Sequence, residues 1–142
     1  MTFRAMQAED LDVVVQIEQN SFATPWTKQM FSAMFVLPYQ HAYVLEDGGQ
    51  VCGYCCFSVL FEDAELLNIA VGERFRKKGF GKYMLGEMLQ RAKALGAEKC
   101  FLEVRRNNHS AIGLYKKFGF EQYGEIPKYY GDEDALLMRS AI

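Results

Sequence analysis

The chain has 142 residues, half of them hydrophobic, and a formal net charge of -2. This length predicts one domain, residues 1–142, that is large enough to bury a core. The near-neutral charge argues against direct binding of nucleic acid, because that binding relies on basic residues that neutralise phosphates. No apolar run is long enough to cross a bilayer and the first residues lack a secretory signal, so we expect no membrane association and a cytoplasmic protein.

Taken in chain order, the first half alternates between helical and strand-like patterns. Pro25 breaks the first helix, Thr27 can cap the second and Pro38 ends it. The sequence Asp47-Gly48-Gly49 predicts a hairpin turn. The predicted elements are a strand at 3–6, a helix at 9–20, a helix from Thr27 to Pro38, and three antiparallel strands at 41–46, 50–60 and 64–71.

The second half begins with the clearest element, an amphipathic helix at 82–95 that Gly96 ends. Its apolar stripe predicts that the residues Met84, Leu85, Met88, Leu89, Ala92 and Leu95 pack on the core. Further on, the pattern predicts a strand at 99–104, a short helix capped by Asn108 or Ser110 and ended by Gly119, and strands at 121–126 and 135–140. The order βααβββαβαββ indicates an α/β (α+β) fold with a central mixed sheet and helices on both faces.

The four cysteines lie in apolar, strand-like runs, which favours buried thiols in a reducing compartment. They are Cys52, Cys55, Cys56 and Cys100. The spacing of Cys52 and Cys55 is also compatible with zinc or redox chemistry, but no second pair follows and both histidines fall in unrelated contexts. We therefore expect no metal site.

The segment Arg76-Lys77-Lys78-Gly79-Phe80-Gly81 lies between an apolar strand and the amphipathic helix. Two glycines allow close approach of the backbone, and the helix N-terminus offers free N–H groups to an anion. The segment lacks the Ser or Thr of a P-loop, and Met84 replaces the third glycine of a dinucleotide fingerprint. It therefore predicts a phosphate or pyrophosphate site. A glycine-containing connection between strand and helix, with solvated charges and no ligand, would have the same sequence pattern.

This Arg-x-x-Gly-x-Gly loop resembles that of the GNAT-family N-acetyltransferases, in which it binds the pyrophosphate of acetyl-CoA. The resemblance extends nearly from end to end of the chain. It implies a mostly antiparallel GNAT sheet whose fourth and fifth strands, here 64–71 and 99–104, splay apart around the pantetheine arm. It also implies that acetyl-CoA is the cosubstrate and that no metal takes part.

Two side chains invite a chemical interpretation. Glu103 interrupts the apolar run from Cys100 to Val104, where a carboxylate needs a partner, water or neutralisation. It could pair with Arg105 or Arg106, or act as a general base at the ligand cleft. Tyr115 falls on the apolar stripe of its helix, so periodicity alone favours a core aromatic residue.

The segment Leu102-Glu103-Val104-Arg105, followed by Asn108 and by the run from Ala111 to Phe120, resembles the bacterial ribosomal-protein-alanine N-acetyltransferases. That resemblance implies direct transfer to the N-terminal alanine of small-subunit ribosomal protein eighteen, with Glu103 as general base, Tyr115 as general acid and an N–H near Val71 as oxyanion donor. The implied coenzyme contacts are Ile69, Ala70, Val71, Arg76, Lys77, Lys78, Gly79, Phe80, Gly81, Lys82 and Asn108.

For the acceptor, Trp26, Tyr129 and Tyr130 could line a groove, and Glu133 with its acidic neighbours could attract a basic substrate. A core tryptophan and a solvated acidic turn would explain the same residues. Two other functions stay open, namely acetylation of lysine side chains or small amines, and coenzyme binding without turnover. We expect a monomer or a weak homo-oligomer.

Overall fold

The computed structural model describes all 142 residues and confirms the expected order of elements. Short 3-10 turns precede α1, follow α2 and follow β4. The elements are β1 Thr2–Ala5, α1 Leu11–Ser21, α2 Lys28–Ala33, β2 Gln40–Asp47, β3 Gln50–Leu60, β4 Asp63–Val71, α3 Phe80–Ala94, β5 Lys99–Arg105, α4 His109–Lys117, β6 Glu121–Ile126 and β7 Ala135–Ala141. None of the helices has the length and apolar character needed to cross a membrane.

The strands form one mixed sheet in the order β1-β2-β3-β4-β5-β7-β6. Every neighbouring pair is antiparallel except β4 and β5, which are parallel. The mostly antiparallel α/β architecture expected from the sequence is therefore confirmed. The single parallel pair requires a crossover connection, and the glycine loop with α3 supplies it.

Strands β4 and β5 pair over only four positions, from Asp63 opposite Lys99 to Leu66 opposite Leu102. On the other side of β4, Cys56 pairs with Asn68 and Phe57 with Leu66, so Leu67 is an extra residue. Such a β-bulge bends its strand and increases its twist. Beyond the bulge, residues 67–71 and 103–105 do not pair with each other, and a gap opens in the sheet. The splay implied by the resemblance is present.

Helices cover both faces of the sheet, and each face has its own apolar core. Helices α3 and α4 pack over a cluster of 19 buried residues. Helices α1 and α2 pack over a cluster of nine. Four residues of the α3 stripe are fully buried, as expected: Met84, Leu85, Met88 and Ala92. The four cysteines are buried free thiols, which confirms their interpretation as small hydrophobic residues.

The structure differs from the sequence expectations mainly at helix ends. Helix α3 begins at Phe80, two residues early, because Gly79 adopts the left-handed conformation (φ 82°) that positions it as N-cap. Leu95 is 52% exposed, so its assignment to the buried stripe was wrong. It follows the last helical turn, where Gly96 (φ 101°) redirects the chain. Helix α2 ends at Ala33, and a 3-10 turn continues to Val36.

Candidate functional site

The glycine loop presents an open helix N-terminus. Lys77 (φ 63°) and Gly79 (φ 82°) are both left-handed, which turns the chain sharply into α3. No side chain caps the helix, and its first intrahelical hydrogen bond runs from the Tyr83 N–H to the Gly79 carbonyl at 3.0 Å. The N–H groups of residues 80–82 therefore have no intrahelical acceptor and can bind an anion.

Packing within the protein does not explain the glycine at position 81. A Cβ atom there would meet Leu114 and Val71 at 3.8 Å, an ordinary van der Waals contact. Gly79, by contrast, needs its left-handed backbone, which a residue with a side chain adopts only with strain. A bound group that approaches the backbone closely would explain why residue 81 lacks a side chain.

Four basic side chains surround this helix N-terminus, and none of them forms an ion pair. They are Arg76, Lys77, Lys78 and Lys82. Arg76 is fixed by two other contacts, from its Nε to the Val71 carbonyl at 3.1 Å and from its Nη2 to the Ser21 hydroxyl at 3.1 Å. The site thus combines uncompensated positive charge with free N–H groups, which suits a phosphate or pyrophosphate.

The edge of β4 next to the gap carries free backbone groups. The Gly72 N–H donates to the Cys52 carbonyl at 2.7 Å. Since hydrogen-bonded positions alternate along an antiparallel strand, the N–H groups of Ile69 and Val71 point away from β3. They face the side from which β5 has diverged, and they have no strand partner there. Ala70 lies between them, half-buried against the core below α1.

Two further features extend this region. Asn108 caps α4, and its Oδ1 accepts the Ala111 N–H at 3.2 Å, which leaves its amide nitrogen free to donate. A groove of about 490 Å³ runs along α3 from the glycine loop toward α4. Its lining residues are Gly79, Lys82, Tyr83, Gly86, Glu87, Gln90 and Phe118. The groove is therefore continuous with the anion-binding loop.

Glu103 lies on β5 just beyond the last pair with β4. Its neighbours Leu102 and Val104 face the core below α3 and α4, so alternation places Glu103 on the opposite face, where it is exposed. Arg105 and Arg106 form ion pairs with other carboxylates, so the interpretation that Glu103 pairs with either arginine is wrong.

The Glu103 carboxylate contributes to raised pKa values of several neighbouring groups. Its proximity, as hydrogen-bond partner and as negative charge, raises the pKa of Tyr129. Burial, followed by the charge of Glu103, raises the pKa of Tyr130 and also that of Glu65 on β4. Glu103 and Glu65 therefore form an acidic pair beside two tyrosines at the edge of the gap.

Tyr115 lies on α4 and packs in the core on the other face of the sheet, with its ring centroid 5.9 Å from that of Phe120. Burial, followed by neighbours that include Cys55 and Tyr130, raises its pKa. No protein atom binds its hydroxyl, yet no side-chain oxygen without a partner is sealed from solvent. The ring is thus buried while the hydroxyl oxygen reaches solvent-accessible space.

The loop between β6 and β7 holds the two adjacent tyrosines, whose ring centroids lie 5.0 Å apart. The Arg105 guanidinium lies 4.2 Å from the Tyr130 ring centroid and binds Glu133 at 3.3 Å. The three carboxylates of the acidic turn are partly compensated: Arg105 also approaches Asp132, and Arg106 approaches Asp134 but is shared with Glu125. Any effect of Glu133 on an acceptor should therefore pass through Arg105 and Tyr130.

Trp26 lies in the loop between α1 and α2 and is half-buried. Its ring centroid is 5.1 Å from that of Phe31, and its backbone N–H donates to the Glu18 carboxylate at 2.9 Å. Glu18 is 1% exposed and was not anticipated from the sequence. The available signal was its place beside Val14 and Ile17 on the apolar stripe of α1, where a carboxylate is unusual.

No group of three or more His, Cys, Asp or Glu side chains has the arrangement needed to hold a metal ion.

The chain was also compared with known proteins. A model of the acetyltransferase (GNAT) family matches residues 11–120.

Curated relatives cover almost the whole chain. A Bacillus subtilis protein named putative [ribosomal protein bS18]-alanine N-acetyltransferase is 41% identical over 95% of this chain and 91% of its own length. The Escherichia coli K12 [ribosomal protein bS18]-alanine N-acetyltransferase is 30% identical over 96% and 95%. A crystal structure of the ribosomal-protein-S18-alanine N-acetyltransferase from Escherichia coli superposes with a TM-score of 0.91 at 29% identity, covering 99% and 93% of the two chains.

The position of Glu103 can be tested without an activity assay. The substitution Glu103→Gln removes a negative charge and should lower the pKa of Tyr129, because that charge now favours the protonated phenol. NMR titration of tyrosines labelled at the ring Cζ carbon, assigned with Tyr129→Phe, measures the change. The control Glu98→Gln removes an exposed carboxylate elsewhere and should leave the Tyr129 titration unchanged. An unchanged titration in Glu103→Gln would contradict the proximity of the two groups.

Proposed function

Because this chain belongs to the acetyltransferase (GNAT) family and is an N-acetyltransferase, we propose that it acetylates the N-terminal amine of ribosomal protein bS18 with acetyl-CoA. The observation that carries this proposal is the arrangement of one anion-binding helix N-terminus beside one gap in the sheet. Glu103 borders that gap on one face, and Tyr115 lies on the other face with a hydroxyl that has no protein partner and is not fully sealed from solvent.

The residues at the loop fit acetyl-CoA. The N–H groups of residues 80–82 and the unpaired basic side chains suit the pyrophosphate, and the free N–H groups of Ile69 and Val71 suit carbonyl oxygens of the acetylated arm of the coenzyme. When bound, the coenzyme supplies an activated acetyl thioester. In this arrangement the Val71 N–H can donate to the acetyl carbonyl oxygen and stabilise negative charge that develops there.

The attacking amine must be neutral, which sets the task of Glu103. A glutamate of ordinary acidity is about 3.5 units too acidic to deprotonate an α-ammonium group, a gap of roughly 5 kcal/mol. At pH 7, however, roughly a tenth of α-amines are already neutral. We infer that Glu103 takes the proton, through water, from this neutral fraction as the C–N bond forms. Its exposure gives water access to the carboxylate.

Tyr115 is suited to hold a proton near the departing sulfur. Burial raises its pKa above the ordinary value for a phenol, so the hydroxyl stays protonated throughout the working range. The same shift makes it a weaker acid than a thiol, whose pKa is near 8.5. As the proposed acid it therefore acts through a hydrogen bond to the sulfur, which stabilises the negative charge that accumulates there as the C–S bond breaks.

The acceptor assignment rests on charge and on the relatives. Arg105 and Arg106 compensate the acidic turn only in part, whereas Glu65 and Glu103 form no ion pair and supply negative charge at the gap that attracts an N-terminal ammonium group. The Bacillus and Escherichia relatives are named for the alanine terminus of bS18, which supports the same acceptor here. Acetylation of lysine side chains or of a small amine is the alternative.

The acceptor can be identified with purified protein and two peptides. One carries the N-terminal alanine segment of bS18 with a free α-amine, and the other is the same segment with a blocked α-amine and an internal lysine. At pH 7 we expect kcat/KM to favour the free α-amine by roughly 100-fold, because far fewer lysine side chains are neutral. Mass spectrometry locates the acetyl group. Preferential product on lysine, or only on small amines, would contradict the proposal.

The coenzyme site can be tested with Gly81→Ala. The new methyl group has room in the protein, so the free energy of unfolding should stay unchanged or rise by up to about 1 kcal/mol. The same group would obstruct the pyrophosphate, and calorimetry should show acetyl-CoA binding weakened by about tenfold or more, which corresponds to about 1.4 kcal/mol. The control Gly113→Ala on α4 has open space around it and should leave coenzyme affinity unchanged. Wild-type affinity in Gly81→Ala would contradict the assigned site.

The acid role can be tested with Tyr115→Phe, which removes only the hydroxyl. We expect kcat to fall by about 100-fold or more, with a much smaller change in the KM for acetyl-CoA, since the hydroxyl acts as the thiolate leaves. The control Tyr123→Phe removes the hydroxyl of an exposed tyrosine and should keep the wild-type rate. If Tyr115→Phe acetylates at the wild-type rate, the acid role is wrong.

A further inference from the structure

The Glu18 carboxylate is the most deeply buried acidic group of the chain, with only 1% of the residue exposed. It has no cationic partner. Instead it accepts three hydrogen bonds. Oε2 accepts the backbone N–H of Trp26 at 2.9 Å. Oε1 accepts the Asn68 Nδ2–H at 2.7 Å and the Tyr54 hydroxyl. Burying an unpaired carboxylate is costly, and only a full set of donors makes it tolerable.

The three donors come from three segments that are separate in the sequence. Trp26 belongs to the loop between α1 and α2, Tyr54 to β3, and Asn68 to the part of β4 that follows the Leu67 bulge. Burial, followed by the charge and hydrogen bond of Glu18, raises the pKa of Tyr54 and so keeps its hydroxyl as a donor. One carboxylate thus joins a loop to the strand that borders the gap.

A simple packing role does not require this chemistry. Apolar residues of similar volume often replace buried ionic groups without loss of stability. An apolar side chain, however, could bind neither the backbone N–H of Trp26 nor the amide of Asn68. Compared with an apolar side chain, Glu18 therefore adds hydrogen bonds that fix the α1–α2 loop relative to β4.

We propose that Glu18 is a positioning residue for the acceptor: it fixes the Trp26 loop against β4 and so shapes the acceptor side of the gap. This inference rests on the proposed function. Helices α1 and α2 cover the face on which Glu103 lies, whereas the glycine loop leads into α3 on the other face. Loss of Glu18 should therefore affect the acceptor far more than the coenzyme.

The test compares Glu18→Ala, Glu18→Asp and Glu18→Gln with the control Gln19→Ala, an exposed position on the same helix. Glu18→Ala should raise the KM for the bS18 peptide at least tenfold and change the KM for acetyl-CoA less than threefold. Glu18→Gln should stay within about threefold of wild type for both, because its amide oxygen can accept the Trp26 backbone N–H and its nitrogen can donate to a flipped Asn68 and to the Tyr54 hydroxyl oxygen. Gln19→Ala should match wild type.

Trp26 is the only tryptophan, so its fluorescence reports on the loop independently of activity. Acrylamide quenching of Trp26 should increase at least twofold in Glu18→Ala and remain at the wild-type level in Glu18→Gln and Gln19→Ala. Glu18→Asp keeps the charge but is one methylene shorter, and it should raise both the acceptor KM and the quenching. It serves as the decisive variant if Glu18→Ala does not fold.

The outcomes distinguish a failure of the proposed function from a failure of the inference about Glu18. If wild-type protein does not acetylate the peptide, the proposed function fails, while the quenching experiment still tests whether Glu18 holds the loop. If the folded variants lose thermal stability but keep the acceptor KM and the quenching of wild type, Glu18 is only structural and the inference is wrong. An equal rise in the KM of both substrates would also overturn it.

Discussion

The site depends on one interruption of the sheet, the end of pairing between β4 and β5 after four positions. The extra residue Leu67 turns β4 away from its parallel neighbour β5. The two strands are therefore paired up to Leu66 and Leu102 and diverge beyond these residues. An unpaired strand edge inside a sheet exposes backbone donors that must find partners elsewhere. Here the gap leaves the N–H groups of Ile69 and Val71 available for a ligand.

The scaffold around the gap is closely packed, which fixes the position of the anion site relative to the gap. Helix α3 is anchored by fully buried side chains such as Met84 and Met88. At Gly53 on β3, a Cβ atom would come within 2.7 Å of the Ala70 carbonyl oxygen and 2.8 Å of the Met84 Cε atom. The strand and the helix therefore approach each other too closely for any side chain there. The free N–H groups of the helix N-terminus are held at a fixed distance from the free edge of β4.

Much of this could be predicted from the sequence, because local signals and tertiary packing agree. The stripe of α3, the cap at Asn108 and the glycine loop follow from side-chain spacing, and all three are present. The bulge was not predictable from pattern, since Leu66 and Leu67 are both apolar and the change of face leaves no mark in the sequence. The ion pairs of Arg105 could not be predicted either, because Glu103 is closer in sequence than Glu133. In the structure, alternation along β5 and the position of the β6–β7 loop bring Arg105 to Glu133.

The two proposed catalytic groups lie on opposite faces of the sheet. Glu103 alternates with core residues of β5 and so lies on the face of α1 and α2, exposed to water. Tyr115 belongs to the core under α3 and α4, where burial raises its pKa. A continuous sheet would separate them, so the proposed function requires the divergence of β4 and β5 for both to act on one bound group. The proposed roles are compatible with these environments: a protonated phenol is not a base at neutral pH, whereas an exposed carboxylate can accept a proton through water.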